Sequence, residues 1–315
     1  MPLPLPLPLL LLLLLRPLWG GHAPQRHLKL YEGVNDLLKQ RVITALVLLL
    51  ICLPALTTQS AWPFLALTWI MSTLAAWEWA RMNTSTFLKP PLFALLTLAL
   101  CALDGFFAWS GFHAEFQALG LILVWLVFFA MVLKWGIEGW SAVSGGWRQL
   151  MGLIMLLGAW ASFNAAKVEG THFLISVLVL VWTADIGAYF VGKAFGKTKL
   201  APIVSPGKSR EGALGGLVLV LLLGLIWAQI ESLSSPESQS IYAFLWHKGP
   251  VHFVLGLSAL VACSVLGDLF ESLVKRSAGF KDSSQLLPGH GGVLDRIDAL
   301  LPTVPLALLL VHGVL

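Results

Sequence analysis

Nine stretches of this chain are so apolar, and so nearly free of charge, that each must be buried in something other than water. They run at about 42–58, 61–80, 91–103, 116–133, 149–166, 172–192, 213–230, 250–268 and 299–315 of the 315 residues. Lipid offers backbone groups no hydrogen-bond partner, so such segments become helices that close their own bonds. The expected fold is therefore all-α: a polytopic integral membrane bundle of about nine transmembrane helices. The third stretch is short for a span, and a buried or re-entrant segment is the alternative there. Composition agrees, with 57% hydrophobic and 11% charged residues and a mean hydropathy of +0.83.

The basic residues test that division. With the N-terminal side in the cytosol, 18 of the 20 Lys and Arg fall in inner loops, and only Lys167 and Lys248 fall outside. So complete a positive-inside bias supports both helix count and orientation. It also places the two most polar segments, 193–212 and 268–298, on the cytosolic side. The net charge of +4 would suit nucleic acid, but the cations sit in short loops between apolar runs, which excludes nucleic acid as a partner. Cys52, Cys101 and Cys263 each lie in an apolar run without metal-ligand spacing, and read as packing residues.

Residues 1–36 differ in kind, opening with alternating Pro and Leu that cannot continue a helix. They loosely resemble a signal-peptide core without its basic start. The plainer reading is a low-complexity, disordered N-terminal extension, with the working protein beginning near Leu37.

An ionisable group inside a bilayer costs about 2.5–3.5 kcal/mol on insertion scales, so each one needs a partner, a wet cavity or a function. Asp185 interrupts the sixth stretch, with Tyr189 and Gly192 on the same face at i+4 and i+7, and reads as a functional or cavity-lining group. Asp268, Glu271, Ser272 and Lys275 fall at i, i+3, i+4 and i+7 where the eighth stretch ends, and would share one face. Glu78, between Trp77 and Trp79, reads instead as a carboxylate snorkelling at an aromatic belt.

The segment from Ser272 to Asp298 sets Lys275, Arg276, Lys281 and Arg296 beside Asp282, Asp295 and Asp298, with Gly289, Gly291 and Gly292 around His290. Carboxylates supply hard oxygens for Mg²⁺, and Lys and Arg neutralise the phosphate oxygens a metal does not reach. Glycines let backbone amides approach an anion closely. In the other loop, Ser205, Lys208 and Ser209 lie in a turn-rich basic stretch suited to phosphates. It is not a Walker A loop: Val191 and Pro202 stand where the first glycine is required.

Together these residues resemble the phosphatidate cytidylyltransferase (CDP-diacylglycerol synthase) family. Its signature is matched from Ser272 through Lys275-Arg276, Lys281-Asp282, Ser284, Leu287, Pro288 and His290-Gly291-Gly292 to Asp295-Arg296 and Asp298. The similarity extends to Asp185, Gly187, Ala188 and Tyr189, to Ser205, Pro206, Lys208, Ser209, Glu211 and Gly212, and to the LLKQRVITAL stretch at 37–46. Ile186 and Ser209 depart from it, each standing where Thr is common.

The resemblance implies one transmembrane catalytic domain over 37–315, with cytosolic active-site loops 193–212 and 268–298, in a bacterial inner membrane. It implies that CTP and phosphatidic acid are substrates, giving CDP-diacylglycerol and pyrophosphate. Mg²⁺ would be required, and a second, monovalent cation would share the site. Asp268 and Asp295 are expected as principal metal ligands, with Asp298 and Asp185 behind them. Lys275, Arg276, Lys281 and Arg296 are expected to clamp phosphates with Asp282 beside them in the catalytic segment. Ser205, Lys208, Ser209, His290, Gly291 and Gly292 would bind substrate, His290 by shaping the glycine-rich turn rather than moving protons. A homodimer stays open. The rival readings are a CTP-dependent lipid-alcohol kinase, which differs in its products, and a membrane transporter, which would not need the dense charged loop.

Overall fold

The computed structural model describes residues 25–83, 88–107, 114–234 and 239–313. The expectation for the early tail lies outside the described residues as far as residue 24, and from Gln25 the chain is helical. In order come α1 (Gln25–Thr57), α2 (Ala61–Met82), α3 (Pro90–Phe107), α4 (Ala114–Lys134), α5 (Gly136–Ala142), α6 (Gly145–Glu169) and α7 (Thr171–Phe195). A two-stranded antiparallel hairpin follows, β1 (Lys199–Ala201) and β2 (Ser205–Ser209), then α8 (Arg210–Ser234), α9 (Ile241–His247), α10 (Pro250–Ser277), α11 (Leu294–Ile297) and α12 (Leu300–His312).

Each of the nine apolar stretches is a helix, and contacts at their tips sort them into passes between two ends of the bundle. At one end Lys167 donates to the carbonyls of Leu56 and Thr58 and, at 2.6 Å, to Thr171 Oγ1. There too His312 meets Glu169 at 3.1 Å and Lys248 donates to the Leu310 carbonyl at 2.9 Å. At the other end Arg41 reaches the Gly289 carbonyl at 3.1 Å and Trp79 Nε1 the Arg148 carbonyl at 2.9 Å. Lys167 and Lys248, set apart by the charge count, thus share an end. The loops expected to carry the chemistry share the opposite one.

Among the described residues, five helices are long and apolar enough to cross a membrane: Lys39–Thr57 within α1, α6, α7, α8 and α10. The pair α4–α5, bent by 118°, makes a sixth if taken as one span. The last stretch, expected at 299–315, is a helix of 13 residues among those described. At 1.5 Å per residue it is about 20 Å long, short of a ~30 Å hydrocarbon core. Every residue from Leu300 to Leu309 is buried, so this helix fills the bundle interior; apolar on all sides is what such a position demands.

Two packing devices aim the charged end. Helices α7 and α8 touch backbone to backbone: a Cβ on Gly212 would meet the Ala188 carbonyl at 2.6 Å, and one on Gly187 the Gly216 Cα at 3.0 Å. That contact holds the helix of Asp185 against the root of the hairpin. On α10, Phe270 stacks on Phe128 with centroids 4.6 Å apart and meets the edges of Trp125 and Trp140 at 5.5 and 5.3 Å. Such aromatic pairs add about 0.5–1.5 kcal/mol each beyond burial. Anchoring Phe270 fixes the rotation of α10, which turns the faces of Asp268, Glu271 and Lys275 away from the aromatics and toward the loops.

Candidate active site

The polar face expected on α10 exists. Ser272 Oγ donates to Asp268 Oδ1 at 3.2 Å, and Glu271 and Lys275 pair one turn apart. Two ammonium groups link this face to the loops. Lys208, from β2, meets Asp268 Oδ2 at 2.5 Å, and Lys275 meets Asp295 Oδ1 at 2.6 Å. Asp268 and Asp295, far apart in sequence, therefore lie at the same end of the bundle, each on its own lysine.

Asp295 is the more committed of the two. Its Oδ2 accepts from Ser283 N at 2.9 Å, Ser283 Oγ at 2.8 Å and Gly292 N at 2.8 Å. Burial alone would raise its pKa, but the Lys275 charge and these donors outweigh burial and hold it at about 2. Asp298, half-buried just before α12, is pushed the other way, up to about 7, by burial and by the Asp268 carboxylate. Lys275, the Ala299 N–H and Lys208 oppose that rise without cancelling it.

The turn between these acids is tight. Gly289 and Gly291 take φ of 73° and 81°, which only glycine adopts without strain, and Leu287 N donates to the Gly291 carbonyl at 2.9 Å. Arg296 donates to the His290 carbonyl at 2.6 Å, and Thr44 of α1 to that of Pro288 at 2.9 Å. The His290 imidazole is held below its usual pKa by burial and by the cations of Arg296 and Arg41, against the Pro288 carbonyl. In the turn itself it is the His290 backbone that bonds, its N–H donating to the Leu287 carbonyl at 2.8 Å and its carbonyl accepting from Arg296.

Sequence reasoning missed Glu78. It does not snorkel; it is 0% exposed. It accepts from Ser283 Oγ at 3.1 Å, Val293 N at 2.9 Å and Leu294 N at 2.7 Å, and from Ser284 Oγ. A side chain on Gly292 would strike Ser283 and this carboxylate, which explains glycine there. Arg81, one turn on, donates to the Ser283 carbonyl and stands over the rings of Trp77 and Phe280 at 5.2 and 5.0 Å. The local signal was ambiguous because Glu78 has its donors on a loop some 200 residues away.

The remaining expected residues divide. Arg276, Lys281, Asp282 and Arg296 are exposed around the mouth, and Arg276 leans back toward the Phe280 carbonyl at 3.5 Å. Ser209 is buried, with its Oγ accepting from Gly212 N at 3.1 Å, so it caps the start of α8. Ser205 is half-buried at the far end of the hairpin, paired with Ala201. Asp185 lies within electrostatic reach of Lys208, Asp268 and Arg296.

Five acids thus share one field with two buried-facing lysines. Yet no three Asp, Glu, His or Cys side chains among the described residues converge into an ion cage. Asp268 and Asp295 nonetheless offer hard carboxylate oxygens, and Mg²⁺ can be held by one or two carboxylates with substrate phosphates and water completing its shell. Asp298, raised first by burial and then by the Asp268 carboxylate, lies beside them. The donor chemistry therefore fits a hard divalent cation.

A model of the cytidylyltransferase family matches residues 39–314. The chain belongs to that family. It is 41% identical over 274 residues to the phosphatidate cytidylyltransferase of Pseudomonas aeruginosa, covering 85% of this chain and 95% of that protein. It is 36% identical over 291 residues to the Haemophilus influenzae protein of the same name, covering 85% and 96%, and 32% identical over 274 residues to that of Bacillus subtilis, covering 85% and 95%. In this cytidylyltransferase the matched region takes in α1 from Lys39 onward, and with it the Arg41 and Thr44 contacts to the glycine-rich turn.

Proposed function

We propose that this membrane enzyme transfers CMP from CTP to phosphatidic acid, releasing pyrophosphate, at the cytosolic face of a bacterial inner membrane. One observation carries the reading: the ion pairs Lys208–Asp268 and Lys275–Asp295, from separate parts of the chain, meet at one end of the bundle. The near-complete positive-inside bias supports the cytosolic orientation.

A phosphatidate oxygen, anionic near neutral pH, attacks the α-phosphorus of CTP. The new oxygen–phosphorus bond forms as the bond to the bridging oxygen breaks, and its electron pair leaves with pyrophosphate. No general base is needed, so catalysis rests on position and charge. Lys208 and Lys275 now balance carboxylates, and with substrate present they are free to exchange those partners for phosphate oxygens. Arg276, Lys281 and Arg296 gather the triphosphate from the mouth. Glu78 and Asp295 hold the glycine-rich turn in place, Asp295 taking the Gly292 amide itself.

Asp268 and Asp295 would hold Mg²⁺, with Asp298 and Asp185 beside them. The ion supplies charge neutralisation across the triphosphate. Purified protein incubated with labelled CTP, phosphatidic acid and Mg²⁺ should yield CDP-diacylglycerol and pyrophosphate, and chelator should stop it. A phosphorylated lipid with CDP would instead identify a kinase.

A further inference from the structure

A groove of about 990 Å³ opens beside the charged cluster, between the hairpin turn, the α4–α5 elbow, α8 and α10. This is the upper end of the range for small-molecule sites, about 300–1,000 Å³. Its walls are apolar, with Ile203 and Val204 from the turn, Leu214 and Leu217 from α8, and Val265 and Leu269 from α10. Ile203 is 79% and Leu214 63% exposed, so the groove opens sideways, where helices α8 and α10 meet lipid.

Three features say what fits it. The inner end stops at Leu269, the residue after Asp268, and the turn in its wall leads directly into the strand that carries Lys208. Along α10 the lining runs from Ser258 to Leu269, a stretch of twelve residues and eleven helical rises. That is about 16 Å of helix, close to half of a ~30 Å hydrocarbon core, or one leaflet. At the rim Lys134 lies 5.3 Å over the ring of Trp135, which is 53% exposed; this is the cation and indole pairing found at headgroup level.

We propose that the groove seats an acyl chain of the phosphatidate substrate, entering from the inner leaflet with its phosphate delivered to Lys208. This rests on the function proposed above. A chain in the groove anchors the lipid far from the reacting atoms, so its binding energy serves to position the phosphate. At about 0.8 kcal/mol per buried methylene, blocking only part of the seat is enough for a large effect.

The test uses the full chain in lipid nanodiscs or detergent, with dioleoyl and dihexanoyl phosphatidate. Ala262→Trp and Ser258→Trp narrow the groove without touching the charged cluster. They should lower kcat/KM for the dioleoyl lipid by about tenfold or more, leaving the dihexanoyl lipid and the KM for CTP unchanged. Equal loss on both lipids, or no loss on either, overturns the groove while leaving the reaction standing. If the wild-type protein makes no CDP-lipid from either substrate, the proposed reaction fails first. Should the variants fold poorly, wild-type protein is photolabelled with phosphatidate bearing a diazirine on its chain. Label on 200–217 or 258–269 supports the seat, and label confined to other helices overturns it.

Discussion

The two polar loops at the active end are built in opposite ways. The glycine-rich loop is tied inward: Asp295 and Glu78 between them accept seven hydrogen bonds from backbone and serine donors, and Arg41, Thr44 and Arg81 hold its outer carbonyls. The hairpin is only partly covered, its one ion pair to the bundle being that of Lys208 with Asp268 among the described residues. A loop whose amides and serines converge on two carboxylates in this way is a rigid frame. The hairpin is also held by the buried Val204 and by the Ser209–Gly212 bond, so the Lys208 ammonium can change partners at little structural cost. The site thus pairs a fixed half with an adjustable half, which suits an enzyme that must admit a bulky triphosphate and then enclose it.

That contrast can be broken most forcefully at Asp295. Asp295→Asn should cut CDP-diacylglycerol formation by about 10²–10³-fold. The protein should still insert and fold but melt several degrees lower, because charged hydrogen bonds worth about 1.5–3 kcal/mol each are weakened. Near-wild-type turnover would remove Asp295 from the mechanism, and an unchanged melting temperature would remove it from the frame. On the adjustable half, Lys208→Ala should lower kcat/KM for CTP by about 10²-fold while the melting temperature stays within a degree or two. A large loss of stability there would erase the distinction between the loops.

Glu78→Ala strands two backbone N–H groups and two serines in a buried place, at about 1–3 kcal/mol for each unsatisfied group. It should melt markedly lower and lose about tenfold in activity, with Glu78→Gln recovering part of both. If Gln is no better than Ala, the carboxylate's acceptor role is not what holds the turn. The smallest effect belongs to His290. Its folded pKa lies below the ordinary 6.5, so as pH falls the unfolded chain takes the proton first, and the His290 contribution to stability declines below about 6.5. His290→Asn should abolish that decline in thermal melts and leave the rate profile from pH 7 to 8.5 unchanged. Loss of a rate step near neutrality would make His290 a proton carrier.

Much of the charged end was legible along the chain. The 3.6-residue period put Asp268, Glu271, Ser272 and Lys275 on one face, and Ser272–Asp268 and Glu271–Lys275 do meet. Glu78 was misjudged because a carboxylate near a helix end between two tryptophans looks the same whether it meets headgroups or the amides of Val293 and Leu294. Ser209 was expected as a phosphate ligand from loop chemistry and resemblance, and the structure adds a second role, its Oγ accepting from the Gly212 amide of the helix it caps. The final stretch is a helix as expected, but its burial on every side was not legible, because hydropathy does not distinguish lipid from a protein interior.

The sequence by itself determined what each segment must avoid and which way it must face. Long apolar runs cannot leave backbone groups unpaired in lipid, and the cost of moving Lys and Arg across the bilayer sorts the loops to two sides. Both follow from a segment's own residues and its solvent. Only the tertiary structure decided which charges pair, which acid is buried beneath the turn, and where a groove opens beside Asp268. Those outcomes depend on side chains brought together from opposite parts of the chain by the packing of α7 on α8 and of Phe270 among its aromatic neighbours, and no local pattern records such distances.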